Sequence, residues 1–224
     1  MNDNVVNKKS FLSQVTEIVK TNIRNIIILL SLCFVLFLFF QIYSFYISNK
    51  IQKNSISFFA AQNTDDTNVI TDTITKLSND NTFYGVLAKL ELIDLTLKQN
   101  NIEDSISMYQ EIINQNNLES VYKSAIASKA SYQLIDINFE NLSLNYLNII
   151  NDFISYIDDE TDSYKGIKLE LKYLFKILEA EKNSIDYSSF NEVNDIYENI
   201  MSSDVVSSAI KERVNKIHEF YSNK

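Results

Sequence analysis

Few residues in this chain could do covalent or proton-transfer chemistry. His218 is the only histidine in 224 residues, so a metal centre built on several histidines is excluded. A nucleophile–base arrangement needs an imidazole held beside an activated hydroxyl. His218 instead stands beside Glu219 in the last helical stretch and reads as a solvated surface residue. The carboxylate pairs Asp158-Asp159 and Glu179 with Glu181 have the right types for general acid–base work. In an acidic helical chain they read as solvated loops and faces. Two isolated glycines, Gly85 and Gly166, cannot build a phosphate-cradling loop. Cys33 is the only cysteine, which excludes a disulfide framework. Leu32 before it is too large for a lipoprotein cleavage box. The expectation is a non-enzyme, with no cofactor, metal or small-molecule substrate.

With no catalytic constellation to position, the organising element is an apolar one. Ile26 to Ile47 is a run of 22 residues without a charge, 16 of them Leu, Ile, Phe or Val. As a helix it would be about 33 Å long, against a hydrocarbon core of about 30 Å. On an insertion scale those side chains sum to roughly −6 kcal/mol. Ile26, Leu30, Phe34, Phe37 and Phe40 carry the run, and Tyr43 and Tyr46 suit its outer interface. It is too long for the apolar core of a cleavable signal, and no small-x-small site follows. An uncleaved signal anchor is predicted. Lys8, Lys9, Lys20 and Arg24 precede it, and Lys50 and Lys53 follow. This bias places the N-terminus in the cytoplasm. The predicted location is a bacterial inner membrane, spanned once, with the C-terminal domain in the periplasm.

The formal charge is −9, of which residues 1–25 carry +2 and the remainder −11. An acidic domain without a basic patch argues against nucleic acid as a partner. Two glycines and no proline disfavour folds rich in tight turns and favour helices joined by short polar loops.

Apolar residues recur at helical spacing along the rest of the chain. Phe11, Val15, Ile18 and Val19 mark a short amphipathic helix before the anchor. The anchor helix continues to Gln62, and Asp66 or Thr67 caps a short helix bearing Ile70, Ile74 and Leu77. Seven helices are then expected: Thr82–Gln99, Ile102–Ile113, Leu118–Ile137, Leu142–Ile157, Ser163–Glu181, Ser188–Ser202 and Asp204–Tyr221. No segment alternates at period two, so no strand is predicted. The domain reading is a cytoplasmic segment at 1–25, a transmembrane helix at 26–47, a helical linker at 48–81 and an all-α domain at 82–224.

Leu92 to Ile113 carries a resemblance. Leu92 and Ile93 sit at helix A positions of a tetratricopeptide unit, Asn100 at its turn, and Ser105, Tyr109 and Ile112 at helix B spacing. Ile93 and Ile112 are bulky where that pattern has small residues, and no proline closes the unit. The layout, with Tyr164-Lys165-Gly166-Ile167-Lys168-Leu169-Glu170-Leu171 and the closing stretch from Ser203 to Val214, resembles the YfgM-like family. That family is an ancillary subunit of the SecYEG translocon and shares its repeat domain with a cell division coordinator. The resemblance implies a degenerate tetratricopeptide-like domain that contacts translocon subunits, periplasmic chaperones or emerging clients.

A stack of helical pairs has a concave side lined by the first helix of each pair. Tyr84, Tyr122, Lys129, Tyr164 and Lys168 are the candidate groove residues there; the competing reading packs the tyrosines between helices. The expected function is a non-catalytic, membrane-anchored scaffold that binds protein partners. The alternative is a self-associating envelope or division protein that forms homo-oligomers.

Overall fold

In a computed structural model the chain is helical, with no strand among its described residues. The structure describes residues 3–116, 118–159, 162–185, 187 and 190–223; side chains are described at 16 and from 20 onward, those of 162 and 163 excepted. Among these residues the helices are α1 (Asp3–Gln62), α2 (Thr67–Ser78), α3 (Phe83–Lys98), α4 (Ile102–Ile113), α5 (Ser120–Glu140), α6 (Leu147–Ser155), α7 (Asp162–Asn183), α8 (Asn191–Ser202) and α9 (Ser208–Ser222). They fall into two compact units, Met1–Gly85 and Val86–Lys224.

In the first unit α1 is one uninterrupted helix. The short amphipathic helix expected before the anchor is continuous with it, since no glycine or proline interrupts the first 62 residues. The side chains of Phe11, Val15, Ile18 and Val19, and of Lys8 and Lys9, lie outside the described residues. From Lys20 to Gln62 the helix is long and apolar enough to cross a membrane, and nothing in its most apolar stretch is buried. Exposure runs from 37% at Ile26 to 69% at Phe40.

Beyond the apolar run, α1 joins a small clasp. Asn63 ends the helix: its backbone and side-chain amides both donate to the Phe59 carbonyl, at 3.2 and 2.9 Å. Asp66 then caps α2, its carboxylate accepting from the Asn68 and Val69 amides, an arrangement worth about 1 kcal/mol. α2 packs on α1 with Ile74 and Leu77 buried. The Tyr84 ring lies 6.1 Å from both Phe58 and Phe59. Asp80 fastens the loop after α2: Lys50 Nζ is 2.7 Å away, and Asn54 donates to it at 2.8 Å and to Thr82 at 3.0 Å. Burial pushes the Asp80 carboxyl up, and the Lys50 and Asn54 hydrogen bonds more than offset this, leaving it below the usual carboxylate range.

Gly85 is what lets this loop close. A Cβ there would stand 1.8 Å from the Asp80 carbonyl oxygen. Gly85→Ala is therefore expected to cost about 2 kcal/mol through overpacking and to raise proteolytic cleavage at residues 79–81 roughly thirtyfold. An unchanged cleavage rate would show that the loop does not depend on this close approach.

The second unit solves its turns without glycine. Asn100 has φ 59°. Its amide reaches the Leu97 carbonyl at 2.9 Å, and that of Asn101 reaches Thr96 at 3.1 Å. This is the paired closure of a Schellman motif, built on a left-handed Asn. Ser184, with φ 51°, closes α7 the same way through Glu181 and Ala180.

α5 and α7 are the central helices. α5 packs on α4, α6 and α7; α7 packs on α5, α6, α8 and α9. Small buried residues on α5, Ser124, Ala127, Ser128, Ala130 and Ser131, allow that close approach. The Ser128 and Ser131 hydroxyls donate to carbonyls one turn back, so their burial leaves no donor unmatched. One face of α7 presents Leu171 and Leu178 to a core shared with Ile93, Tyr109, Ile126 and Phe153. Another face presents Tyr173 and Ile177 to Val193, Ile200, Ile210 and Val214. Gly166 sits where α7 meets α9; its Cβ would lie 3.3 Å from Ile210.

The helix starts that differ most from the sequence expectation are those of α6, α8 and α9. α6 begins at Leu147, not Leu142, because Asn141 Oδ1 accepts from the Ser143 amide at 3.1 Å and its hydroxyl at 2.6 Å. That Asx turn competes with helix nucleation. α9 begins at Ser208, not Asp204, because Ser207 is extended and its hydroxyl accepts from Ile210 N. α8 begins at Asn191, and the expected start at Ser188 lies outside the described residues.

One buried ionic group ties three helices together. Glu170 on α7 is 2% exposed. Arg213 on α9 donates to both of its oxygens at 2.9 and 2.8 Å, and the Tyr132 hydroxyl on α5 donates at 2.7 Å.

Candidate functional site

The second unit carries a groove of about 760 Å³, formed by the end of α3, the α3–α4 turn, the C-terminal half of α5 and the loop after it. The left-handed Asn100 turns the chain at one wall, and the Asx turn at Asn141 holds Leu144 at the other. Lys182 fixes that loop from α7 by donating to the Leu142 and Leu144 carbonyls. Leu97, Ile102, Ile137 and Leu144 supply apolar surface; Asp94, Asp136 and Glu140 supply carboxylates.

Those three carboxylates are in different states. Asp94 is neutralised by Lys129 Nζ at 2.7 Å and accepts from Gln133 at 3.0 Å. Tyr109 donates in turn to Gln133, so this chain of groups runs from the core to the wall. Asp136 and Glu140 have no ion-pair partner among the described residues. They stand one helical turn apart on α5 with like charge. Desolvation, and then the Glu140 charge, raises the Asp136 carboxyl above its ordinary value. Lys98 also lines the groove and stays exposed. A second depression, of about 240 Å³, opens at Asp136 among Phe139, Leu174, Ile177, Ile217 and Tyr221. Asp136 thus borders both hollows.

The five groove candidates from sequence go elsewhere, and none is among the residues lining this groove. Tyr84 belongs to the first unit and packs on Phe58 and Phe59. Tyr122 is exposed near the start of α5. Lys129 is the ion-pair partner of Asp94. Tyr164 packs against the first core of the second unit. Lys168 reaches Asp159 at 3.2 Å. Sequence reasoning passed over Asp136 and Glu140. The available signal was a like-charge i, i+4 pair on a helix, which costs a few tenths of a kcal/mol for no structural return.

His218 is not the solvated surface residue that the sequence implied. Its ring stacks on Tyr197 at 3.7 Å and 10°. The Tyr187 hydroxyl is 2.7 Å from His218 Nδ1 and 2.6 Å from the Tyr173 hydroxyl. A neutral imidazole accepting at Nδ1 makes Tyr187 the donor there and Tyr173 the donor to Tyr187. Burial lowers the His218 pKa, opposed by the Glu219 charge. A depressed pKa favours the neutral ring in the folded state, so this contribution is complete above the ordinary histidine value and is lost as pH falls through the folded one. The melting temperature should fall as pH drops below the ordinary histidine value of about 6.5, and His218→Gln should flatten that fall. Equal slopes in the two proteins would show that the ring titrates alike folded and unfolded. No group of three or more His, Cys, Asp or Glu among the described residues is arranged to hold a metal ion.

No protein-family model, curated protein or solved structure matches the chain.

Proposed function

We propose that the chain is a membrane-tethered binding module: α1 crosses a bilayer once, and the second unit offers a surface to a protein partner. The observation that carries this reading is the exposed run on α1, whose aromatic and aliphatic side chains lie open over a length that matches a bilayer. In water such a surface would far exceed the apolar patches that soluble monomers expose. The tether would hold the second unit at the membrane and raise its effective concentration for partners there.

Within this reading, α5 with α6 and α7 with α8 are successive helical pairs of a degenerate tetratricopeptide-like stack. The packing of α5 on α7 and of α7 on α9 supports it, since such stacks join like helices of neighbouring repeats. The lysine and arginine bias around the run supports a cytoplasmic N-terminus and a domain outside the inner membrane. The YfgM-like resemblance of the sequence makes translocon subunits, periplasmic chaperones or emerging clients the proposed partners.

The test is crosslinking in intact membranes from photoreactive residues placed between Lys50 and Phe59, read by mass spectrometry, with protease access to the second unit as its pair. Capture of translocon subunits with the second unit outside the cytoplasm is the expected result. Crosslinks between copies of the chain alone would replace the partner reading with self-association. Protection of the second unit on the cytoplasmic side would overturn the orientation.

A further inference from the structure

We infer that the α3–α5 groove receives a polypeptide segment bearing basic side chains one helical turn apart beside aliphatic ones. The inference rests on the binding-module reading and names the chemistry of the partner.

Three features carry it. The first is uncompensated charge. Asp136 and Glu140 repel one another on α5, and neither makes an ion pair among the described residues: Lys129 is committed to Asp94, and Lys98, which also lines the groove, stays exposed. A bound cation facing both carboxylates would remove that repulsion, so binding gains more than a single exposed ion pair would. The second is apolar surface in the same hollow. Leu97, Ile102, Ile137 and Leu144 offer an aliphatic contact area, and the groove volume lies in the range of anchoring clefts. The third is the depression on the far side of Asp136, lined by Phe139, Leu174, Ile217 and Tyr221. It is large enough for an aliphatic side chain from an occupant whose charge sits on Asp136. Apolar anchors flanked by lysine or arginine satisfy all three; an acidic peptide, a nucleic acid or an anionic lipid surface meets like charge.

The groove is fixed before anything binds. The Schellman turn at Asn100, the Asx turn at Asn141 and the Lys182 hydrogen bonds hold its walls, so little ordering entropy would oppose docking.

The test uses the full chain in phosphatidylcholine nanodiscs and a fluorescein-labelled helical peptide of leucine and lysine, with lysines at i and i+4. Its glutamate-for-lysine counterpart and empty nanodiscs serve as controls. Fluorescence anisotropy should show saturable binding of the lysine peptide to filled discs above the empty-disc signal. Asp136→Lys with Glu140→Lys should weaken binding about tenfold or more and transfer preference to the glutamate peptide. Asp136→Asn with Glu140→Gln relieves the repulsion within α5 and so keeps the fold, which circular dichroism checks; it should weaken the lysine peptide without gaining the other. Equal binding by wild type and both variants, or no binding above empty discs, overturns the inference. Failure of the tether is read separately: a chain washed from membranes by alkaline carbonate sinks the membrane reading, while peptide affinity still reports on the groove.

Discussion

Glu170→Ala is expected to lower the stability of the second unit by about 3 kcal/mol. The carboxylate is buried, and three hydrogen bonds to it come from helices far apart in sequence. Removing it leaves the Tyr132 hydroxyl without its acceptor and Arg213 without its fork. The Arg213 side chain is 55% exposed and recovers water, which holds the loss near the lower end for buried pairs. Arg213→Met alone should cost at least as much as Glu170→Ala, because it leaves the buried carboxylate without its cation. Glu170→Ala combined with Arg213→Met should cost less than the two single changes summed, with a coupling of about 1.5–3 kcal/mol. Urea unfolding of the full chain in detergent, followed by tyrosine fluorescence, measures this, since the chain has 13 tyrosines and no tryptophan. Strict additivity would mean that α5, α7 and α9 are joined by packing alone.

The helices were legible because they depend on local pattern. Asp66 or Thr67 before an apolar stripe reads as a cap, and Asp66 is the one; Asn100-Asn101 reads as a turn and supplies the left-handed residue. The charge-free run was legible for the same reason, since length and composition decide whether a helix suits a bilayer. Boundaries failed where a side chain bonded its own backbone. Nothing in the spacing of Asn141 announces that its carboxamide holds Ser143 rather than starting a helix. Long-range pairings were out of reach altogether. Glu170 and Arg213 lie 43 positions apart, and one salt bridge among many charges leaves no periodic trace. His218 misled because a polar residue between Ile217 and Glu219 reads as solvated. Its cage comes from Tyr173, Tyr187 and Tyr197, on segments that only packing brings together. The lining of this groove was not legible for a related reason. Tyrosines and lysines attract attention as binding residues, yet Lys129 is consumed by Asp94 and Tyr164 by the core. Asp136 and Glu140 stand out only by sharing one groove without an ion pair among the described residues.

Phe34→Asp with Phe37→Asp should release the chain from membranes. Both positions lie near the middle of the run and are exposed, at 61% and 54%, so neither change removes a core contact. Each aspartate at that depth costs about 2.5–3.5 kcal/mol, and each lost phenylalanine forfeits about 0.4 kcal/mol. Together that is about 6–8 kcal/mol against a run worth roughly −6 kcal/mol, so the balance changes sign. Alkaline carbonate extraction reads the outcome: wild type and Phe34→Leu with Phe37→Leu should stay in the pellet, and the aspartate pair should move to the supernatant. The experiment also separates a span from the other arrangement that would hide this surface, a bundle of α1 helices from several copies in water. In a bundle, wild type would already be soluble and the aspartates would lower only the oligomeric state. Two acidic side chains on one face leave much of a bundle's seam intact. In a bilayer no orientation of the helix lets them avoid hydrocarbon, because every face of a single span meets lipid.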